Sequence, residues 1–425
     1  MEPLLNTRIT MLKESSTLAI NTRVRAMRAA GETVFHFGFG ESPFPVHPLI
    51  QEALRANAQR SEYLPTLGLP ALREAICAFY ARHHGYAFDP AAVSIGPGSK
   101  ELLFQALLIL EGPLLIPAPS WVSYGPQAQI RGKDVREIQT RKANGWKLQA
   151  DELEATCTAL AEEPQKLLII NSPNNPTGAV YSDAELGALA AVCKRHGVLV
   201  ISDEIYALVD FSGNPYRGFS AHYPEGTLVT GGLSKGYSAG GYRLGFLAAP
   251  AHMQDMLNAL SALTSETFSA VSAPTQYAAL AAFSDDADLL EYVAICRSIH
   301  QAAGTYLHAR LRAMGVGCVP PEGAFYLFPD FETQAPALRA RGIDGSTQLC
   351  NWLLNEAAVA TLPGSDFYCE DALLACRMAT VDYDGERVLA AARAAGNVDG
   401  DFVSAHCPNL VQGCDSLETL LGTLA

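Results

Sequence analysis

Five residues in the middle of the chain have side chains whose chemistry is complementary. Asn175 lies in the stretch Ser-Pro-Asn-Asn-Pro-Thr-Gly, Asp203 in Ser-Asp-Glu-Ile-Tyr, and Lys235 in a segment rich in glycine and serine. Tyr206 comes three residues after Asp203, and Arg243 comes eight residues after Lys235. The set offers an amide, a carboxylate, an amine, a phenol and a guanidinium. A primary amine can form a Schiff base with an aldehyde and can also move a proton.

The spacing of three of these residues matches the repeat of an α/β sheet. The intervals of 28 residues from Asn175 to Asp203 and 32 from Asp203 to Lys235 each fit one strand–helix–strand unit of about 30 residues. Each residue also follows an apolar run that is typical of a buried strand, at 166–170, 198–202 and 227–230. Because open α/β sheets bind ligands beyond the carboxyl ends of their strands, we expect the three side chains to converge.

The wider pattern predicts the elements that position these residues. Strand-like runs alternate with helical patterns over residues 46–285, which predicts a large α/β domain with a mostly parallel sheet. Residues 286–425 begin with a long helical pattern at 289–313 and predict a smaller α+β domain, against which residues 1–45 would pack. Its segment 396–414 is rich in Gly, Asp and Asn, and we predict an extended loop there.

The side chains around Lys235 suit pyridoxal phosphate. Lys235 would form the Schiff base, and Asp203 would pair with the protonated pyridine nitrogen. Asn175 and Tyr206 would hydrogen-bond the phenolic oxygen of the ring. Each motif alone is weak evidence, because Asn-Pro-Thr-Gly is most often a turn and an aspartate at a strand end is most often a helix cap. Their order and spacing together carry the prediction.

A phosphate site is predicted beside these residues. The backbone amides of residues 98–100 open a helical pattern at 100–110, and the start of a helix attracts anions. Arg243 would bind another phosphate oxygen. Trp121 would stack against the ring, although a tryptophan alone is more often part of the core.

Composition excludes several other classes of protein. The chain has 425 residues and a formal net charge of −14, which disfavours nucleic acid and anionic membranes as partners. Its ten cysteines include no Cys-x-x-Cys pair, so we expect buried free thiols and no metal site. The N-terminal residues lack the apolar core of a secretion signal, and no apolar run reaches about 18 residues, so we expect a cytoplasmic protein.

Several further motifs carry a resemblance to a known family. From about residue 18 to 380 the chain resembles the class I/II aminotransferases, which are pyridoxal-phosphate enzymes of fold type I, and within them the aspartate and aromatic aminotransferase-like branch. Besides the motifs above, the resemblance rests on the stretches at 38–43, 63–73, 119–124, 323–326, 363–367 and 376–378.

The resemblance implies a role for each matching residue. Lys235, Asp203 and Tyr206 would be catalytic, and Asn175 would contact both cofactor and substrate. The other residues implied to hold the cofactor are Ser99, Lys100, Trp121, Ser234 and Arg243. Arg377 and the backbone of Gly40 would bind the substrate α-carboxylate, to which a guanidinium offers two parallel hydrogen bonds. The resemblance also implies a homodimer, in which Tyr63 would reach the phosphate of the neighbouring subunit.

Two departures from the family pattern leave questions open. Many members have a hydroxyl residue three positions before the lysine, where this chain has Gly232. Residues 265–276, where aspartate-specific members carry an arginine for the distal carboxylate, contain no basic residue.

The expected activity is ping-pong transfer of an amino group from an L-amino acid to a 2-oxo acid. The alternative is a lyase on the same fold, either a carbon–sulfur β-lyase or an enzyme like aminocyclopropane-carboxylate synthase. A regulator that binds the cofactor to sense it is disfavoured by the acidic charge.

Overall fold

The computed structural model describes residues 5–424. Its helices are α1 Thr7–Thr10, α2 Ser16–Ala29, α3 Pro48–Ala56, α4 Pro70–His83, α5 Ser99–Ile109, α6 Tyr124–Arg131, α7 Ala150–Ala159, α8 Asp183–His196, α9 Gln254–Ser265, α10 Ala273–Ala282, α11 Ala287–Ala313, α12 Ala335–Ala340, α13 Ser346–Ala357, α14 Gly385–Ala395, α15 Gly400–His406 and α16 Pro408–Gly422. Its strands are β1 Phe35–His36, β2 Val93–Gly96, β3 Leu114–Ala118, β4 Val135–Gln139, β5 Lys166–Asn171, β6 Val198–Asp203, β7 Thr227–Gly232, β8 Gly245–Ala248, β9 Tyr326–Leu327, β10 Val359–Ala360, β11 Leu362–Pro363 and β12 Cys376–Ala379.

A seven-stranded sheet has the order β2-β8-β7-β6-β5-β3-β4. All neighbours from β7 to β4 are parallel, whereas β8 runs antiparallel to both β2 and β7. In the register of the central strands, Asn171 lies opposite Asp203, and Asp203 lies opposite Thr230. The ends of three consecutive strands therefore meet at one edge of the sheet, as predicted. The predicted helix between Asp203 and Lys235 is wrong, because the chain from β6 to β7 forms only short 3-10 turns.

Helices cover both faces of this sheet. On one face, Ile169 and Ile201 pack in a cluster with buried residues of α5, α6 and α9. On the other face, Leu168 and Val200 pack with α7 and α8. Because both faces are buried, the strands are almost continuously apolar, which is the pattern of a parallel sheet. The α/β prediction is confirmed.

Two small sheets lie outside the large one. Strands β11, β12 and β9 form an antiparallel sheet, and β1 pairs with β10 in parallel. All seven strands of the large sheet fall within 46–285, and both small sheets fall within 1–45 and 286–425. The division into domains at these bounds stays a prediction, and its end residues 1–4 and 425 lie outside the described residues.

The predicted extended loop at 396–414 is wrong, because this segment is mostly helical. Gly396 ends α14 with φ +71°, and the Asp399 side chain then accepts hydrogen bonds from two backbone amides at the start of α15. Pro408 occupies the first turn of α16, where its missing N–H costs nothing. The buried side chains follow a helical spacing on to the end of α16: Val403, Cys407, Leu410, Cys414, Leu417 and Leu421. The Gly, Asp and Pro residues are caps between helices.

Other predictions about the chain agree with the structure. Helix α11 spans Ala287–Ala313 against a predicted 289–313. All ten cysteines are free and buried. Within residues 5–424, no helix is both long and apolar enough to cross a membrane.

Candidate active site

A cavity of about 440 Å³ opens at the carboxyl ends of β5, β6 and β7. Its volume is in the range of about 300–1,000 Å³ that is usual for small-molecule sites. Every predicted site residue except Tyr63 lines it: Gly40, Ser99, Lys100, Trp121, Asn175, Asp203, Tyr206, Ser234, Lys235, Arg243 and Arg377. Tyr63 is 92% exposed and lies elsewhere on the surface.

Lys235 follows β7 by three residues and points into the cavity. Its Nζ donates a 2.8 Å hydrogen bond to the carbonyl oxygen of Gly40. Burial lowers the pKa of this amine from 10.5 to about 8, against a smaller opposing effect of Glu41. A substantial fraction is therefore neutral near physiological pH, and a neutral amine is the nucleophilic form.

Asp203 is the last residue of β6 and is fully buried. Its Oδ2 accepts a 2.7 Å hydrogen bond from the hydroxyl of Tyr124, and its Oδ1 lies 3.3 Å from the backbone nitrogen of Ile205. Burial raises the pKa of this carboxyl, and these hydrogen bonds oppose that rise. An anionic Asp203 therefore needs a cationic partner in the cavity, since a buried charge without one is costly.

The hydroxyls of two tyrosines, Tyr206 and Tyr326, form a chain of contacts that leads to the backbone of Gly40. Tyr206 Oη and Tyr326 Oη are 2.8 Å apart, and Tyr326 Oη lies 3.4 Å from the Gly40 carbonyl oxygen. A side chain at position 40 would overlap the Tyr326 hydroxyl. Glycine is thus required there, because it lets the backbone come close to both Tyr326 and Lys235.

Arg377 lies on β12 and is buried to 1% exposure. Its Nη1 donates to Asn175 Oδ1 at 3.2 Å, and its Nη2 donates to the Gly38 carbonyl oxygen at 2.6 Å. Its Nε has no hydrogen-bond partner, and Arg377 forms no ion pair within the part of the chain that the structure describes. A buried guanidinium with a free donor is suited to an incoming carboxylate.

One part of the cavity wall carries two positively charged side chains, Lys100 and Arg243. Ser99 and Lys100 begin α5 after Gly98, whose φ of +90° places it in the left-handed region. Arg243 lies against this turn, and a β-carbon on Gly98 would come within 2.5 Å of the Arg243 Nη2. Burial and then the charge of Arg243 lower the pKa of Lys100. Two cations at the start of a helix make a site for a multiply charged anion.

Comparison with known proteins identifies the family. The model of the family described as aminotransferase class I and II matches residues 32–392. This chain belongs to that family. Pyridoxal phosphate is the cofactor of these aminotransferases, and the predictions of family, cofactor and class of enzyme are confirmed.

Individual relatives agree with this result. An aspartate aminotransferase of Geobacillus stearothermophilus is 36% identical over 86% of this chain and 92% of its own length. An asparagine–oxo-acid transaminase of Streptococcus mutans is 31% identical over 85% of this chain and 92% of its own length. The structure of the Thermus thermophilus aspartate aminotransferase with maleate superposes with a TM-score of 0.84 at 26% identity, covering 98% of this chain and 99% of that one. The fold is therefore fold type I.

The side chains of this aminotransferase fit its cofactor. The cavity offers an amine for the aldehyde, a buried carboxylate for the pyridine nitrogen and a cationic helix start for the phosphate. Trp121 is on the cavity wall, and Lys100 Nζ is 5.0 Å from the centre of its ring. Among the described residues, no cation hydrogen-bonds to the carboxylate of Asp203, and a protonated ring nitrogen would supply one.

Gly232 departs from many members of the family, and its surroundings explain why no side chain is present. It ends β7 opposite Gly245 of β8. A β-carbon on Gly232 would come within 2.7 Å of the Leu244 carbonyl oxygen and 2.9 Å of the Gly245 Cα. The close approach of the two strands therefore excludes a hydroxyl residue. The candidates for binding the phosphate are Ser99, Lys100, Ser234 and Arg243.

The structure adds residues that the sequence analysis did not assign. Tyr124 and Tyr326 occur inside the recognised motifs, but nothing in their spacing showed that they contact Asp203 and Tyr206. Asn171, at the end of β5, holds the Asp203 backbone through a 2.8 Å bond from its Nδ2 to the carbonyl oxygen. Residues near the start of α2 form a further wall: Ser15, Thr17 and Leu18.

Proposed function

We propose that Lys235 is the residue that holds pyridoxal phosphate covalently in this aminotransferase and that Arg377 receives the substrate. The reaction is a ping-pong transfer of an amino group from an L-amino acid to a 2-oxo acid. One observation carries the assignment of residues. The buried amine of Lys235, the carboxylate of Asp203 and the guanidinium of Arg377 line the same cavity.

Each side chain has a distinct task in this proposal. Bound pyridoxal phosphate supplies a ring that withdraws electrons from the substrate's Cα. The substrate's amino group would displace Lys235 from the cofactor. The freed Lys235 amine would then remove the proton at Cα as a general base and return it, as a general acid, to the cofactor carbon that had carried the aldehyde. Arg377 and the Gly40 backbone orient the α-carboxylate, so that the Cα proton faces Lys235. This orientation replaces a bimolecular encounter by a fixed geometry.

The remaining residues hold the cofactor in place. Asp203 would pair with the ring nitrogen, and its burial makes that charge pair strong. Asn175 and Tyr206 would donate to the phenolic oxygen. Trp121 would cover one face of the ring. Ser99, Lys100, Ser234 and Arg243 would bind the phosphate.

Replacing Lys235 tests the central assignment. Lys235→Ala should lose turnover and the visible absorbance of the bound cofactor, because no other amine lining the cavity has the position of Lys235. The matched control is Lys166→Ala, since Lys166 is also buried and also donates to a carbonyl oxygen, that of Glu163 at 2.8 Å. Wild-type turnover in the Lys235 variant would overturn the proposal.

The products of one turnover separate the transferase from the lyase alternative. The relatives named above are aminotransferases, which favours transfer. With an amino acid and no acceptor, a transferase should form one 2-oxo acid per active site and release no ammonia. Continued release of ammonia with the oxo acid would instead establish the lyase.

The amino donor is proposed only as a class, that of L-amino acids. The relatives are named for aspartate and asparagine. However, the wall formed by Ser15, Thr17 and Leu18 carries no cation for a distal carboxylate. A panel of amino acids, scored by the spectral change of the cofactor in a single turnover, will identify the donor. A strict preference for aspartate would require a cation from elsewhere in the assembly.

We further propose a homodimer in which Tyr63 reaches the neighbouring cavity. The support is the exposure of Tyr63, the family resemblance and a set of exposed apolar side chains near the N-terminus: Leu5, Ile9, Met11 and Leu18. Hybrid dimers test this directly. A mixture of Lys235→Ala and Tyr63→Phe subunits should regain one site with tight cofactor binding, because that site takes Lys235 from one subunit and Tyr63 from the other. No gain over the separate variants would contradict the proposal.

We also propose that residues 46–285 form the large domain and that the protein is located in the cytoplasm. Ten buried free thiols suit a reducing compartment. Limited proteolysis near residues 45 and 285, and fractionation of the producing cells, test these two points.

A further inference from the structure

Glu204 follows Asp203 directly but is not among the residues that line the cavity. Its carboxyl is buried to 2% exposure. Oε2 is hydrogen-bonded to the hydroxyl of Tyr86 at 2.5 Å, and Oε1 is hydrogen-bonded to the hydroxyl of Ser202 at 2.9 Å; a hydroxyl can donate to a carboxyl or accept its proton. A side chain at Gly218 would overlap Oε1. The chain thus leaves a fitted space for this carboxyl behind the end of β6.

Among the described residues, no cation is paired with Glu204. A small void of about 20 Å³ lies beside it, and its wall includes Tyr80, His84 and Tyr237. No lysine or arginine lines this void, and Glu204 forms no ion pair among the described residues. Burial lowers the pKa of His84 to about 4, so its imidazole is neutral near physiological pH.

The titratable groups that face Glu204 are four phenols, one imidazole and one carboxyl: Tyr80, Tyr86, Tyr216, Tyr237, His84 and Asp203. The phenols stay neutral, because burial raises their pKa values. In its proposed role as partner of the ring nitrogen, Asp203 carries a negative charge beside Glu204. A second buried carboxylate beside it would be doubly unfavourable, through lost hydration and through repulsion.

We propose that Glu204 is a positioning residue held as a neutral carboxylic acid, so that Asp203 carries the only negative charge at this corner of the site. The inference rests on the proposed role of Asp203 as partner of the ring nitrogen. The neutral acid would donate its proton to one of the two hydroxyl oxygens and accept from the other, so it holds the end of β6 through Ser202 and Tyr86 without competing with Asp203 for that partner. In agreement, burial raises the pKa of Glu204 from 4.5 to about 8.

The proposal predicts a pH dependence with a definite sign. In the unfolded chain the carboxyl ionises near 4.5, whereas in the folded protein it ionises near 8. Stability from this group is therefore fully present below 4.5 and is lost progressively as the pH rises toward 8. Glutamine keeps the shape and offers a carbonyl acceptor and an NH₂ donor group, but it cannot ionise.

The test compares the holoenzyme with Glu204→Gln. Between roughly pH 5.5 and 8.5 the melting temperature of the wild type should fall, and that of Glu204→Gln should fall less. Glu32→Gln is the control, because Glu32 is exposed and its variant should follow the wild-type curve. Infrared spectroscopy near pH 7 should show a carboxylic-acid C=O band that is lost in Glu204→Gln and kept in the control. Parallel melting curves and an unchanged band would overturn the proposal.

A second variant keeps the inference testable if Glu204→Gln does not fold. In Tyr86→Phe the acid band should remain but shift, because the acid loses its 2.5 Å hydroxyl partner. An unshifted band would contradict the assignment. Asp203→Asn separates this inference from the proposed function. Undiminished cofactor affinity in that variant would overturn the role of Asp203, whereas the infrared band by itself decides the state of Glu204.

Discussion

The hydroxyl of Tyr124 donates a 2.7 Å hydrogen bond to Oδ2 of Asp203, and both side chains are buried. Tyr124 begins α6, which packs against the sheet through the apolar cluster that contains Ile169 and Ile201. The helix therefore fixes the orientation of the carboxylate from the side. A carboxylate held in this way needs no reorganisation when it meets a cationic ring.

Removing the hydroxyl of Tyr124 should weaken the binding of the cofactor. In Tyr124→Phe, Asp203 loses a hydrogen bond to its charged form, and such bonds contribute about 1.5–3 kcal/mol. We expect cofactor affinity to fall by roughly 10-fold or more, measured by titration of the visible absorbance. Tyr181→Phe is the control, because Tyr181 is also buried but its hydroxyl accepts from the Leu148 backbone, away from the cavity. Equal affinities in the two variants would argue against the role of Tyr124.

Replacing Arg377 by lysine should impair substrate binding despite the conserved charge. An ammonium cannot reach both Asn175 and Gly38 and still present two parallel donors to a carboxylate. We expect kcat/KM to fall by roughly 10- to 100-fold, mainly through KM. Arg310→Lys is the matched control, because Arg310 pairs with Asp415 and Glu418 outside the cavity. A change in kcat alone would show that Arg377 acts on the chemical step and not on binding.

Cofactor uptake should depend on pH through Lys235. Only the neutral amine attacks the aldehyde, and the pKa of Lys235 is lowered to about 8. The rate at which cofactor-depleted protein regains visible absorbance should therefore rise with pH and level off above a midpoint near 8. A midpoint near 10.5, the ordinary value, would mean that burial does not tune this amine.

Restoring the family's hydroxyl at position 232 should destabilise the protein. In Gly232→Ser the new side chain meets the Leu244 carbonyl oxygen, and overpacking of this kind costs about 1–3 kcal/mol. We expect a lower free energy of unfolding and no gain in cofactor affinity. Gly241→Ser is the control, since a β-carbon there has no atom within 4 Å. Tighter cofactor binding by Gly232→Ser would show that the strands separate easily.

Sequence reasoning recovered the site well, because its residues are tied to strand ends. The interval between Asn175 and Asp203 contains α8 and β6, so it completes one strand–helix–strand unit, and such a unit returns the chain to the same edge of the sheet. Arg377 could not be placed in this way. It comes from a small sheet distant in the sequence, and only the resemblance to the family assigned it to the cavity.

The failures have physical causes too. Strand β8 was not predicted, because four residues between two loops give little periodic signal. The helices at the C-terminus were not predicted because of the residues that cap them. Gly396, Asp399 and Pro408 are residue types that are common in loops but also favoured at helix ends. The contact of Tyr124 with Asp203 depends on how α6 packs, which spacing does not encode.

The antiparallel strand β8 has a consequence for how the cofactor is anchored. Strands β7 and β8 form a hairpin, and its loop at 233–244 carries both Lys235 and Arg243. The proposed covalent anchor and a proposed phosphate anchor thus belong to one short loop, closed at its base by the pairing of Gly232 with Gly245. The distance between the two anchors is therefore a local property of twelve consecutive residues. If the small sheets moved relative to the large sheet, Arg377 would move relative to this loop. The distance between Lys235 and Arg243 would not change.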